Sequence, residues 1–285
     1  MWVFLKRLYL RSVFMQISLL AICLVLVSCG VTQNSQLNET LPILRSGPHG
    51  IEFSLIPDGH FQMGSPGGEQ GREESEKQYW VKLTQEYWMQ TTEVTRRQWR
   101  SVMGSYPDNT GRCLWRDDVI TEDDHPAVCV SWDDVQRFIG KLNNQNESDD
   151  IKYRLPTEAE WEFATRGYTE TAYSLQQPLN LFAWNNGNSG NRTHPVRALL
   201  ANKFGLYDVH GNVEEWVLDW EGVYPIADQL QNAVKDPIGK SSGRSRIIRG
   251  GSFKRGDGCR SASRRSWQPH SKFYDIGFRV VRTSN

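Results

Sequence analysis

The placement of helix-start signals constrains the fold of this chain more than any other feature of its sequence. In three places a hydroxyl side chain precedes, by three residues, a side chain that can reach back to the start of the helix: Thr95 with Gln98, Ser131 with Asp134, and Thr157 with Glu160. The third predicted helix should stop at Gly167. Beyond it the sequence consists mostly of short extended segments separated by Asn, Gly and Ser turns. This order of elements predicts a single mixed α+β domain.

Apolar periodicity adds two local predictions. In the second helix, apolar residues at helical spacing predict one buried face: Val135, Phe138, Ile139 and Leu142. Nearer the N-terminus, residues 51–55 alternate apolar and polar side chains, a Pro-Asp-Gly turn follows at 57–59, and Phe61 and Met63 resume the apolar pattern. This arrangement predicts a β-hairpin centred on the turn.

Composition narrows the class of protein. With 285 residues and 38% hydrophobic content, the chain is long enough to bury an ordinary core. Its 11 Trp, 10 Tyr and 11 Phe accompany 24 Gly, which favours a loop-rich fold whose irregular backbone is held by large side chains. The 33 basic residues equal the 33 acidic ones, and this balance argues against nucleic acid as a partner.

The N-terminus carries a predicted export signal. Basic residues precede an apolar run at 17–27, which is shorter than the roughly 20 residues that a transmembrane helix needs. The run ends in Leu-Val-Ser-Cys at 26–29, which resembles the lipobox of bacterial lipoproteins. The resemblance implies a signal peptide at 1–28 and lipidation of Cys29, with Gly30 implying sorting to the outer membrane, where the protein would face the periplasm or the cell surface. The alternative is an ordinary cleaved signal with an incidental cysteine.

Residues 29–50 then form the lipidated N-terminus and a polar tether, and 51–285 the folded domain. Within that domain Cys113 and Cys129 flank a polar, acidic segment. Because exported proteins meet an oxidising compartment, we predict a disulfide between them. The acidic run in this segment is typical of a solvated surface, and a cation site is the alternative: Asp117, Asp118, Glu122, Asp123 and Asp124.

Seven segments in order carry a resemblance to a known family. They are FQMGS at 61–65, TTEVTRRQW at 91–99, HPAVCVSWDDV at 125–135, YRLPTEAEWEFATRG at 153–167, FGLYDVHGNVEEW at 204–216, RGGSF at 249–253 and GFRV at 277–280. Together they resemble the formylglycine-generating enzyme family, also called the sulfatase-modifying factor family. The resemblance implies that 51–285 is one irregular, loop-rich domain with that family's variant of the C-type lectin fold.

The family's catalytic cysteine pair is not matched. Formylglycine-generating enzymes bind copper(I) through two cysteines after the Gly-Gly-Ser-aromatic turn and use it to activate oxygen. Here rigid spacing places Arg255 and Arg260 at those two positions, and an alternative alignment leaves Cys259 to supply one thiol where two are needed. In addition, Glu214 stands where the family usually has Trp. We therefore expect no copper site, and whether the protein is an enzyme stays open.

Cys259 has three interpretations. The favoured one is a buried packing residue, a common fate for cysteine. A second is a reactive thiolate whose pKa is lowered by Arg255 and Arg260, and a third is pairing with another cysteine. If chemistry remains, Cys259 and Ser252 are the candidate catalytic residues.

The resemblance also implies calcium. The segment FGLYDVHGNVEEW matches a family loop in which an acid or amide, two backbone carbonyls and a glutamate bind the ion, and carried over these are Asp208, Gly211, Val213 and Glu215. Oxygen ligands on a tight loop suit Ca²⁺. The alternative is that Asp208 caps a turn and Glu215 pairs with an arginine.

Two functional hypotheses follow. The first is a lipid-anchored binding or assembly module whose ligand, an exported protein or peptide, contacts Arg255, Arg260, Trp267 and Tyr274, since arginines and aromatics anchor interfaces. The second is an oxidoreductase that modifies exported proteins. The missing cysteine pair favours the first.

Overall fold

The computed structural model describes residues 42–107, 122–146, 148 and 150–284. Within them are three α-helices: α1 Arg96–Met103, α2 Trp132–Asn144 and α3 Glu158–Arg166. The strands are β1 Leu44–Ser46, β2 Glu52–Ile56, β3 Gly59–Met63, β4 Tyr79–Leu83, β5 Tyr87–Gln90, β6 Ile151–Arg154, β7 Glu214–Trp220, β8 Val234–Lys235, β9 Arg246–Arg249, β10 Arg264–Trp267, β11 Ile276–Gly277 and β12 Val281–Ser284. The predicted α+β class is confirmed.

All three helices begin where the capping signals predicted. At each start the hydroxyl accepts the backbone N–H three residues on, and the side chain at that position reaches back to the backbone of the cap residue. Asp134 completes this reciprocal pair in α2 as Gln98 and Glu160 do in the other helices. The helix α3 ends as predicted at Gly167, whose φ of 54° lies in the left-handed region that glycine tolerates.

The strands form three sheets. The first has the order β1-β2-β5-β12-β6, the second β10-β9-β7-β11 and the third β3-β4-β8. The predicted hairpin is wrong, because β2 pairs with β1 and β5 whereas β3 pairs with β4. The turn at 57–59 carries the chain from one sheet to another. Because β1 already pairs with β2, the folded domain includes residues that we assigned to the tether before residue 51.

The apolar face of α2 lies in the core as predicted, with all four of its residues buried. Phe138 stacks on Trp99 of α1 at a centroid distance of 5.3 Å and meets Phe278 edge-on at 5.2 Å. The same cluster includes Trp216 and Ile248, so it underlies the second sheet as well. This packing fixes the strands that carry the candidate site.

Buried ion pairs cross-link the elements around α3. Glu158 lies 2.8 Å from Arg264 of β10, and Glu162 pairs with both Arg249 of β9 and Arg166. Pairing offsets the cost of burying a carboxylate, and removing one partner of such a pair is strongly destabilising.

Among the residues that the structure describes, no helix combines the length and apolarity needed to cross a bilayer.

Candidate functional site

The second sheet positions a set of charged side chains on one side. Successive residues of a strand point to opposite faces, so Arg264 of β10 turns into the core towards Glu158 while Arg265 and Trp267 share the other face. There Arg265 meets Glu214, the first residue of β7. The strand β11 runs parallel to β7 and places Ile276 beside Glu214.

These residues line a cavity of about 350 Å³. Its walls are Glu214, Lys254, Arg255, Arg265, Trp267, Phe273, Asp275 and Ile276. A second cavity of about 340 Å³ is lined by the same three cationic residues, together with the exposed Glu73 and small residues of the 256–263 segment. We call the two cavities together the cationic cleft.

In the first cavity the cations are accessible and the acids lie deeper, whereas Glu73 of the second cavity is exposed. The side chains of Lys254, Arg255 and Arg265 are 28–40% exposed, whereas those of Glu214 and Asp275 are only 4% and 13% exposed. Arg265 Nη1 is 3.1 Å from both Glu214 oxygens, and Arg255 Nε is 3.7 Å from Glu214 Oε1. Burial raises the pKa of Glu214, although Arg265 opposes the shift. A ligand that enters the first cavity therefore meets positive charge first.

Aromatic side chains border the same cleft. The rings of Trp267 and Phe273 lie 4.6 Å apart, and the Lys254 ammonium sits 3.3 Å from the centroid of Tyr274. Of the four predicted ligand contacts, Arg255 and Trp267 line the cleft and Tyr274 adjoins it through Lys254.

The structure does not bring Arg260 to this cleft. Its side chain is 3% exposed and forms ion pairs with Glu69 at 2.5 Å and Glu76 at 2.7 Å. It also donates to the Gly71 carbonyl at 2.6 Å. Arg260 therefore holds the segment 69–76 against the body of the domain, and its predicted role in ligand contact is not supported by its position.

The residues at the expected copper positions do not fit a two-thiolate site. Arg255 and Arg260 both direct guanidinium groups into ion pairs with glutamates. Cys259 is completely buried, with Sγ 3.4 Å from the Arg255 carbonyl oxygen and 3.9 Å from that of Ser252. Ser252 is buried as well, and its hydroxyl donates to Asp275 at 3.3 Å. Neither candidate catalytic residue presents its side chain to solvent.

The disulfide and lipidation predictions fall on other parts of the chain. Cys129 is buried, and its N–H donates to the carbonyl of Phe273, a residue of the cleft wall. Cys113 lies outside the described residues, so the pairing stays a prediction. Residues 1–28 and Cys29 lie outside them too. The described part of the acidic run includes exposed Glu122 and Asp124, whose carboxylates approach His125 within 4.8 Å.

The predicted calcium ligands are all buried, and three of them precede β7 whereas Glu215 lies on it. Asp208 accepts the Arg197 N–H at 2.8 Å. Glu215 pairs with Arg279 through two contacts of 2.7 Å and accepts the Trp161 indole N–H at 2.8 Å. These are the contacts that the alternative interpretation expected. Gly211 has φ of 103°, and a Cβ there would collide with the Trp184 carbonyl oxygen, so the loop requires glycine at this point.

Glu93 joins this cluster and was missed by sequence reasoning. It is completely buried, and neither of its carboxylate oxygens has a hydrogen-bond partner among the described residues. Burial raises its pKa, and the nearby charges of Asp208 and Glu215 raise it further. Glu215 pairs with Arg279, whereas Glu93 and Asp208 have no side-chain nitrogen of a described lysine or arginine within 4.0 Å. The excess of buried negative charge would be compensated by a bound cation. Glu93 lies far from the loop in sequence, in the segment TTEVTRRQW, so spacing did not point to it.

Comparison with known proteins identifies the family of this domain. Residues 45–284 match the Sulfatase-modifying factor enzyme 1-like domain. The chain is 34% identical over 202 residues to the formylglycine-generating enzyme of Bos taurus, an alignment that covers 64% of this chain and 48% of that protein. It therefore spans about half the length of that relative.

Two solved structures share the fold. Treponema denticola variable protein 1 superimposes with a TM-score of 0.68 at 27% identity, covering 85% of this chain and 99% of that one. PvdO from Pseudomonas aeruginosa superimposes with a TM-score of 0.72 at 25% identity, covering 86% and 99%. Because the domain match extends over most of its length, the chain belongs to the sulfatase-modifying factor family.

Proposed function

We propose that this protein is an exported, lipid-anchored binding module of its family, in which the cationic cleft receives the ligand. One observation carries the proposal. Arg255, at the expected position of the first copper ligand, lines the cleft together with Lys254 and Arg265. A cation at that position opposes a bound metal ion and attracts an anion instead.

The ligand that fits this cleft carries an acidic group next to an aromatic or apolar one. Three accessible cations supply charge-assisted hydrogen bonds to a carboxylate, and Trp267 with Phe273 supplies an apolar wall. The two cavities, of about 350 and 340 Å³, admit a few side chains of an extended peptide. We therefore propose an acidic segment of an exported protein or peptide as the ligand.

The test uses a fluorescent peptide, acetyl-Ser-Glu-Trp-Glu-Ser-amide, and its counterpart with Gln in place of Glu. The protein should bind the acidic peptide at least roughly tenfold more tightly, a difference of about 1.4 kcal/mol, and added salt should weaken binding. The double variant Lys254→Gln, Arg255→Gln should lose this preference. Arg244→Gln, which changes an exposed arginine that does not line the cleft, should keep it. Equal affinity for both peptides in the wild type would contradict the proposal.

The second candidate function is formylglycine generation, which the sequence identity with the Bos taurus enzyme favours. The residues at the copper positions argue against it. We expect no aldehyde when purified protein is given copper, oxygen and a sulfatase-type cysteine peptide. Aldehyde formed over many turnovers, and lost in Cys259→Ser, would restore the enzyme hypothesis.

Calcium and a membrane anchor complete the proposal. Glu93, Asp208 and Glu215 would hold calcium, together with the carbonyls of Gly211 and Val213. Because Glu215 directly follows Glu214, an ion there would order the start of β7 and with it the floor of the cleft. Lipid on Cys29 would hold the domain at the outer membrane.

A further inference from the structure

A third cavity is lined in large part by the segment 221–245, which runs from the end of β7 through β8 to the start of β9. It measures about 320 Å³, and its lining includes the rings of Tyr79, Trp220 and Tyr224. Arg264 contributes to it, whereas its neighbour Arg265 lines the cationic cleft, so the two sites occupy opposite faces of β10. The family resemblance and the proposed function leave this cavity unexplained.

Asp219 gives the cavity its chemical character. Most buried carboxylates of the described residues have an arginine partner: Glu76 with Arg260, Glu158 with Arg264, Glu162 with Arg249, Glu214 with Arg265 and Glu215 with Arg279. Among the described residues, Asp219 is buried without a lysine or arginine nitrogen within 4.0 Å. The other buried carboxylates of the described residues without such a nitrogen are Glu93 and Asp208, which lie among the proposed calcium ligands. Asp219 thus offers this cavity a carboxyl group that has no ion-pair partner in the described part of the chain.

One oxygen of Asp219 is already engaged. Its Oδ2 accepts the backbone N–H of Glu158 at 2.8 Å. Gly239 lies against Oδ1, where an added Cβ would come within 2.9 Å of that oxygen, so glycine keeps it uncovered. A single open oxygen suits the point charge of an ammonium group better than the two-pronged guanidinium of arginine.

The cations that the chain itself brings to the cavity do not neutralise this oxygen. Arg264 is held by Glu158 through contacts of 2.8 and 2.9 Å and stacks over Tyr224. Lys240 is an exposed residue whose aliphatic stem would touch a Cβ at Gly222. Burial, followed by the charge of Glu158, raises the pKa of Asp219 to about 7. An ammonium group bound at Oδ1 would oppose that shift.

Exposed apolar side chains lie in the lining of the cavity and next to lining residues in the chain. Val223 is 91% exposed, Ile226 86% and Ile238 65%, and Val223 and Ile238 also line the cavity. Large apolar residues gathered on one exposed segment mark an interaction surface. A ligand that covers them must itself be apolar on either side of its cationic group.

We propose that this cavity docks a lysine side chain of a partner polypeptide, with its ammonium on Asp219, its stem along the cavity wall, and flanking apolar residues against Val223, Ile226 and Ile238. The site is separate from the cationic cleft and selects the opposite charge. It gives the domain a second contact for a protein partner.

The experiment measures anisotropy of a fluorescent peptide, acetyl-Ser-Val-Lys-Ile-Ser-amide, with the folded protein. The same peptide carrying Nε-acetyl-lysine should bind at least tenfold more weakly, and one with arginine several-fold more weakly. Asp219→Asn, which keeps an oxygen for the Glu158 N–H, should also lower affinity at least tenfold. Asp228→Asn, an exposed acid on the same segment, should not change it.

Two further variants keep the outcome unambiguous. If circular dichroism shows Asp219→Asn unfolded, the exposed pair Val223→Ser, Ile226→Ser serves instead and should weaken binding several-fold. Lys254→Gln, Arg255→Gln should bind the lysine peptide like wild type, whatever it does to acidic peptides. Equal binding of lysine and acetyl-lysine peptides, or no binding of the lysine peptide up to about 1 mM, would overturn the proposal.

Discussion

Removal of calcium should destabilise this protein by an amount that depends on Glu93. Without the ion, the charges of Glu93, Asp208 and Glu215 are opposed by Arg279, and Asp208 also by Arg197. An ion that binds only the native state at 100 times its Kd adds about 2.7 kcal/mol of stability. In a domain of this size that corresponds to a shift in Tm of roughly 5–11 °C, at roughly 2–4 °C per kcal/mol.

The assay is thermal unfolding, followed by circular dichroism at pH 8 with calcium in excess or with a chelator. The wild type should lose stability in chelator. Glu93→Gln should respond much less, because it lacks one of the three charges, and in chelator it should be more stable than the wild type, because it no longer buries an unpartnered carboxylate.

Glu170→Gln is the matched control. It changes an exposed acid that lies outside both groups of candidate metal ligands. It should respond to chelator as the wild type does. A wild-type Tm that calcium does not move, or an equal response from Glu93→Gln, would refute the reasoning.

Other predictions concern the cysteines and Asp219. Cys259→Ser should destabilise the domain by about 1–3 kcal/mol in urea unfolding, because it puts a hydroxyl in a buried site. Cys29→Ser should abolish lipid labelling and release the protein from membrane fractions. Peptide mapping without reductant should find Cys113 joined to Cys129, closing a loop of about 15 residues worth on the order of 3 kcal/mol. The pKa of Asp219 is about 7 in the folded protein and 3.8 ordinarily. As the pH rises between these values, the unfolded chain releases this proton more readily than the folded one, so the free energy of unfolding falls. The stability of Asp219→Asn relative to wild type should therefore increase from pH 4 to pH 8 in urea unfolding, and a constant difference would contradict this.

The sequence predicted the helices well because a helix start depends on residues that are close together in the chain. A cap and its partner three residues away are enough to fix a start, and all three starts are where the sequence placed them. The hairpin prediction failed for the complementary reason. Residues 51–63 show alternation and a turn, but strand partners are distant in sequence, and β5 and β4 compete with the local pairing.

The cationic cleft was predicted only in part, because its residues come from segments that are distant in the chain. The segments that carry Arg255 and Trp267 were found from the sequence, but the involvement of Lys254 and Arg265 depends on how β10 and the 250–255 loop approach each other. Glu93 and Asp219 become notable only once burial and missing partners are known. A sequence shows which residues carry charge, but it does not show which charges lack a counter-charge.

Glu214 and Arg255 are the two departures from the family pattern at the cleft, and they contact each other. A glutamate at 214 is buried next to Asp275, and burial of such a group is costly unless cations accompany it. Arg255, at the first expected copper position, lies 3.7 Å from that glutamate, and Arg265 lies 3.1 Å from it. Replacing Arg255 by cysteine would remove one of these cations and leave Glu214 beside a thiolate, which a carboxylate destabilises. Glu214 and Arg255 therefore support each other, and restoring a cysteine at 255 would require Glu214 to change with it, in addition to the replacement of Arg260.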